Sequence, residues 1–202
     1  DLSNCQPLVA KYKHGSIALA HNGNLTNSEG VREMLEDEGV IFQSTTDSEA
    51  ILNLIARHYN RGLESAIRNT MQLIKGAYAI VITTQDKLIG ARDPHGLRPL
   101  CIGKLQDGYV LASESCALDV IDAEFVRDVM PGEMVIIDQD GLTSIKPKSW
   151  CQKKLCVFEL IYLARPDSVI DGNSVYQFRE KAGEILCREA GIEADVVIPC
   201  LL

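Results

Sequence analysis

No apolar run in this sequence reaches the ~18 residues that a membrane-crossing helix needs, so a helical membrane span is not expected. Basic residues are few. Lys and Arg number 20 against 28 Asp and Glu, and a formal charge of -8 gives a surface that repels nucleic acid rather than collecting phosphates. An anionic sugar phosphate would therefore need a local pocket. Paired cysteines are also missing: the seven (5, 101, 116, 151, 156, 187 and 200) are odd in number, contain no CxxC and accompany only four histidines. That pattern fits reduced thiols in a cytoplasmic protein and excludes a disulfide frame or a ready zinc site. Internal repeats and low-complexity segments are absent. The chain opens on Asp1-Leu2-Ser3-Asn4 with no charged-then-apolar leader, and it closes on VVIPCLL, an apolar run that reads as a core strand wanting neighbours. A fragment of a longer protein is the expectation.

What is present suits a globular fold. The 202 residues are 46% apolar and 24% charged, enough for one domain or one and a fraction. Residues 15–21 (GSIALAH) form a short apolar run ending in Asn22-Gly23, a dipeptide typical of tight turns. Thr26-Asn27-Ser28-Glu29 reads as a capping box ahead of Val31, Met34 and Leu35 at helical spacing, with a stop at Gly39. Thr46-Asp47-Ser48-Glu49 repeats the signal ahead of Ile51, Leu54, Ile55 and His58. A third helix carries Leu63, Ala66, Ile67 and Ile74 and is closed by Gly76. The period then becomes strand-like over 77–83, 87–92, 97–103, 109–112, 133–138 and 142–146, with turn residues between. Such short connections permit only antiparallel neighbours. Composition shifts near 147, after which Val175, Phe178, Ala182, Ile185 and Leu186 mark a helix and 194–199 a strand, as an α/β domain would begin.

The sharpest local feature is His21-Asn22-Gly23-Asn24-Leu25. From the residues alone it is either an ordinary hairpin turn or a bend that offers an Asn side chain and a Gly N–H to one oxygen, as an oxyanion hole requires. The run ALAHNGNLTN (18–27), followed by Thr46-Asp47-Ser48-Glu49, resembles class II glutamine amidotransferases, which are N-terminal-nucleophile enzymes. Within that class RDPHGLRPL (92–100), SESCAL (113–118) and FELIYLARPDS (158–168) resemble the amidophosphoribosyltransferase family.

The resemblance covers nearly the whole chain and implies an α+β fold: an incomplete αββα amidotransferase domain over 1–150, then the beginning of an α/β phosphoribosyltransferase domain over 151–202. It implies an oxyanion hole at Asn22 and Gly23, and Asp47 as the carboxylate for glutamine's α-ammonium. Phe158 and Tyr162 match aromatic positions that shield ammonia in transit, with simple core packing as the alternative. Cys156 matches a position that ligates a [4Fe-4S] cluster in some members. Implied partners are glutamine and phosphoribosyl pyrophosphate with Mg2+, in a homo-oligomer. The family nucleophile is a cysteine at a mature N-terminus, and Cys5 does not match it, so this chain by itself is expected to be inactive. The family's phosphoribosyl loop would lie after Leu202. Two rivals remain: another class II amidotransferase, against which ARPDS (164–168) speaks, and a non-catalytic glutamine-binding module.

Overall fold

Alternating apolar residues build the centre of the molecule, which the computed structural model describes over residues 2–106, 108–147 and 151–198. Strand β1 (Leu8–Tyr12) turns into β2 (Gly15–Leu25), and three helices follow: α1 (Ser28–Asp37), α2 (Asp47–Arg57) and α3 (Leu63–Leu73). The chain returns through β3 (Gly76–Thr83) and β4 (Leu88–Arg92). A small unit comes next, made of β5 (Cys101–Leu105), β6 (Gly108–Ala112), α4 (Ser115–Val120) and β7 (Glu124–Asp128). Strands β8 (Met134–Asp138) and β9 (Gly141–Ile145) complete a six-stranded antiparallel sheet ordered β1-β2-β3-β4-β8-β9, and β6-β5-β7 forms a second sheet.

Strand alternation divides the core into layers. Ile17, Leu19, Tyr78, Ile80 and Ile82 turn one face of the large sheet toward Val31, Leu35, Ile51, Leu54, Ile55 and Ile67 of the helices. Ala79 and Val135 on the other face pack with Ile102 of the second sheet and with Leu100 and Val129, which flank its strands β5 and β7. Leu118 of α4 covers that sheet's far side against Cys101. The order helices, sheet, sheet, helix is the expected four-layer sandwich. Beyond it lie a π-helical turn (Glu159–Leu163), a small hairpin β10–β11 (Val169–Ile170, Asn173–Ser174) and α5 (Val175–Ala190).

Several local expectations need correction. Asn22 and Gly23 are not a turn: β2 runs straight through them, Asn22 facing Ala79 and Gly23 facing Tyr78 in register with β3. A turn dipeptide is overridden here because β3 supplies a full-length partner. Gly23 is required by closeness, since a Cβ there would overlap the Ala77 carbonyl oxygen. Neither capping box is complete. Asn27 precedes α1 without a side-chain cap and instead donates to Leu73 O at 3.0 Å and accepts from Lys75 N at 2.8 Å. Thr46 does cap α2, accepting from Ser48 N at 3.3 Å, but Glu49 reaches the preceding loop rather than Thr46. Residues 97–100 are loop, and α3 ends at Leu73, ahead of Gly76. Among the described residues, 194–198 form no strand and are exposed, because no neighbouring strand meets them; Pro199, and the domain boundary placed at 150, lie outside the described residues. Sequence periodicity missed β1, β7 and α4, all six residues or fewer.

Candidate functional site

The site grows from a mismatch in strand length. In register β1 reaches only from Tyr12 opposite Gly15 to Leu8 opposite Leu19, whereas β2 continues along β3 to Leu25 opposite Gly76. Among the described residues, positions 20–25 of β2 therefore have a strand on one side only. In an extended chain alternate peptides face the same edge, so His21, Gly23 and Leu25 direct their N–H groups away from β3. Side chains complete that edge at two points. The Gln6 carboxamide pairs with both the N–H and the C=O of His21, donating to the carbonyl at 3.0 Å. Asp47 Oδ2 accepts from Leu25 N at 2.9 Å. Gly23 lies midway between them.

Asp47 opens α2, where the helix N-terminus favours an anion. Its Oδ1 lies 3.3 Å from Nδ1 of His21, whose side chain is 1% exposed, and Ser48 Oγ lies 3.3 Å from the same nitrogen. A carboxylate beside Nδ1 assigns the proton to that nitrogen. Partial burial pushes the Asp47 pKa up, but the His21 hydrogen bond and the Leu25 N–H outweigh it and hold the carboxyl below its ordinary value. Asp47 thus stays ionised, and at 16% exposure it retains lone pairs for a ligand. The other ring nitrogen, His21 Nε2, is buried without a hydrogen-bond partner among the described residues and borders Gly23.

Of the residues singled out in the sequence, the structure gathers Gly23 and Asp47 on one edge. Asn22 is on the strand's opposite face from His21 and is exposed. Phe158 and Tyr162 are 61% and 73% exposed, so neither packs into a core formed by the described residues. They flank or lie in the π-helical turn, away from Gly23 in sequence and in element. Cys156 is half-buried, and among the described residues no three His, Cys, Asp or Glu side chains converge to hold a metal ion. The described residues therefore do not by themselves fit an iron-sulfur cluster or a magnesium site. Cys5 is exposed just after a 3-10 turn (Leu2–Asn4). Two cavities, of about 370 and 590 Å³, are lined by neither Asn22, Gly23 nor Asp47.

Two contributors escaped sequence reasoning. Gln6 reaches across 15 residues to His21, a pairing that no local pattern announces. Arg92, fully buried, makes a bidentate pair with Asp171 at 2.8 and 2.9 Å and donates further to the carbonyls of Gly96, Arg98 and Val129. Arg98 meets Glu159 at 2.6 Å, Glu114 accepts from Arg165 N and Ser168 Oγ, and Ser115 Oγ accepts from Val169 N. The three motif blocks after residue 90 thus converge on the junction that follows the sandwich.

Comparison with known proteins bears on the family and the fold. A glutamine amidotransferase domain family matches residues 2–120. Amidophosphoribosyltransferase of Bacillus subtilis (strain 168) is 46% identical over 96% of this chain and 41% of its own length. A chloroplastic amidophosphoribosyltransferase of Vigna aconitifolia is 48% identical over 98% of this chain and 41% of its own. The solved structure of glutamine phosphoribosylpyrophosphate amidotransferase from B. subtilis, complexed with ADP and GMP, superposes with a TM-score of 0.92 at 44% identity, over 96% of this chain and 43% of that one. The chain therefore spans about two fifths of the length of these relatives.

Proposed function

This chain belongs to the glutamine amidotransferase family, and on that premise we propose that it is the amidotransferase part of an amidophosphoribosyltransferase. Such an enzyme takes ammonia from glutamine and places it on C1 of phosphoribosyl pyrophosphate, giving 5-phosphoribosylamine in the first step of purine synthesis de novo. The names of the relatives support this reading, as does the presence of ARPDS (164–168) in the junction. The observation that carries it is the shared edge of β2, where the Gly23 N–H and an ionised Asp47 lie within two residues of each other's anchor points.

An amino acid carrying a side-chain amide fits that edge by charge and by polarity. Asp47 takes the α-ammonium, using lone pairs not occupied by Leu25 N–H and His21. At the other end, attack on the amide carbon drives charge onto its oxygen, and donors aimed there stabilise the transition state more than the ground state. Gly23 N–H is one such donor and the exposed Asn22 carboxamide the second. Losing a donor of this kind costs ~3 kcal/mol of transition-state stabilisation. Glycine admits the substrate where a Cβ would already collide with β3. In this reading ammonia passes the exposed aromatics Phe158 and Tyr162 once the phosphoribosyl part covers them, and magnesium accompanies the pyrophosphate donor. Enclosure keeps ammonia from being protonated by water.

The test is steady-state kinetics of Asp47→Asn in the complete enzyme. The expected result is a rise of about 30-fold or more in KM for glutamine, as a lost charged contact of ~2 kcal/mol gives, with activity on free ammonia retained. An unchanged KM for glutamine overturns the assignment.

A further inference from the structure

Gln6 lies outside the sheet, two residues ahead of β1, yet its side chain does what another residue of β1 would do. A primary carboxamide carries one acceptor and two donors, so it can pair with both groups of a peptide at once. Gln6 does so with His21: Nε2 donates to the carbonyl at 3.0 Å and Oε1 accepts from the N–H, while Nε2 also lies 3.4 Å from Ser48 Oγ. The ring of the same histidine is gripped separately by Asp47 and Ser48, and its Nε2 borders Gly23. His21 is thus fixed twice, through its main chain by Gln6 and through its ring by α2. Gly23 follows two residues later with β3 on one side and, among the described residues, no strand on the other.

From this we infer that Gln6 is a positioning residue for amide hydrolysis: by pinning the His21 peptide it sets the direction of the Gly23 N–H and ties that donor to Asp47. The inference rests on the roles given above to Gly23 and Asp47. A plain tether of the N-terminal segment is a different thing, and Asn4 supplies one, since its side chain pairs with Thr45 at 2.9 and 3.1 Å without touching His21.

Gln6→Ala, Gln6→Glu and Asn4→Ala in the complete enzyme separate the two roles. A misdirected oxyanion donor is felt in the transition state, so Gln6→Ala lowers kcat for glutamine hydrolysis about tenfold while KM stays within about threefold. Asn4→Ala leaves both near wild type. Ionised Gln6→Glu opposes the His21 carbonyl, but its protonated acid restores a donor and an acceptor. Its kcat relative to wild type therefore climbs only as pH falls below about 5.5 toward the ordinary glutamate pKa of ~4.3, whereas that of Gln6→Ala stays flat. An unchanged kcat in Gln6→Ala, a loss confined to KM, or an equal loss in Asn4→Ala overturns the inference. Where Gln6→Ala does not fold, Gln6→Met keeps the bulk and lacks both hydrogen bonds. If wild-type enzyme hydrolyses no glutamine, the functional assignment fails, and the inference is decided in this chain by NMR: the Gly23 amide resonance must move in Gln6→Met, and a stationary resonance sinks it.

Discussion

A single added methyl group probes the site most severely. Gly23→Ala places a Cβ against the Ala77 carbonyl oxygen and within 2.9 Å of His21 Nε2, so β2 must leave β3 or the peptide must rotate. The expected outcome is loss of glutamine hydrolysis by 100-fold or more, together with a destabilisation of about 2 kcal/mol, read by kinetics and by urea unfolding. Asp47 gives a pH signature. Its folded pKa lies below the ordinary carboxylate value, so the stabilisation it confers is fully present above the unfolded pKa of ~3.9 and is lost as pH falls through the lower folded value. Urea unfolding of wild type and Asp47→Asn across pH 2.5 to 6 should therefore converge at the acid end and separate above pH ~4. At this scale the sequence disclosed the residue types but not their geometry. The motif containing Asn22 and Gly23 marked the candidate site, whereas the straight strand and the Gln6 pairing depended on partners 15 to 57 residues away.

The elements that hold the site were legible to differing degrees, and the differences have physical causes. Helix α2 announced itself twice, through Thr46 at its start and through Ile51, Leu54 and Ile55 at helical spacing, and both signals are local. Thr46→Ala should cost about 1 kcal/mol by leaving Ser48 N–H without its acceptor, and Ile51→Ala about 2 to 5 kcal/mol by opening a cavity under the large sheet; thermal unfolding of this chain measures both. Glu49 shows why the capping box misled. Its carboxylate accepts from Gln43 N at 2.8 Å and Ser44 N at 2.7 Å, anchoring the loop that brings Asp47 to β2, a task visible only once the loop is folded. Strand β1 was missed because Lys11 breaks its apolar run, and because its five residues gain their place from pairing with β2.

Across the whole molecule, the sandwich and the segment after it are joined by buried charge. Arg92 is encased by three carbonyls and Asp171, and Lys153 stands 3.0 Å from the same carboxylate. Removing one member strands the other in a dry site, so Asp171→Ala should destabilise by about 3 to 5 kcal/mol, while Arg92→Met with Asp171→Leu should recover much of that loss. Limited proteolysis within residues 151–158, quickened in Asp171→Ala and not in the double variant, checks that the pair fastens the junction. Nothing in the sequence linked positions 79 residues apart, although both stood in or beside blocks that carried the resemblance.

The overhang of β2 past β1 has a cost in solution as well as a use. A row of backbone donors and acceptors lacking a neighbour is a template on which any foreign extended peptide can zip, which is how sheets seed aggregates. Here the invitation is cut to a single residue, because an amide plugs one rung and an acid plugs another. Among the described residues the opening left at Gly23 is one rung long, too short for a foreign strand to pair along.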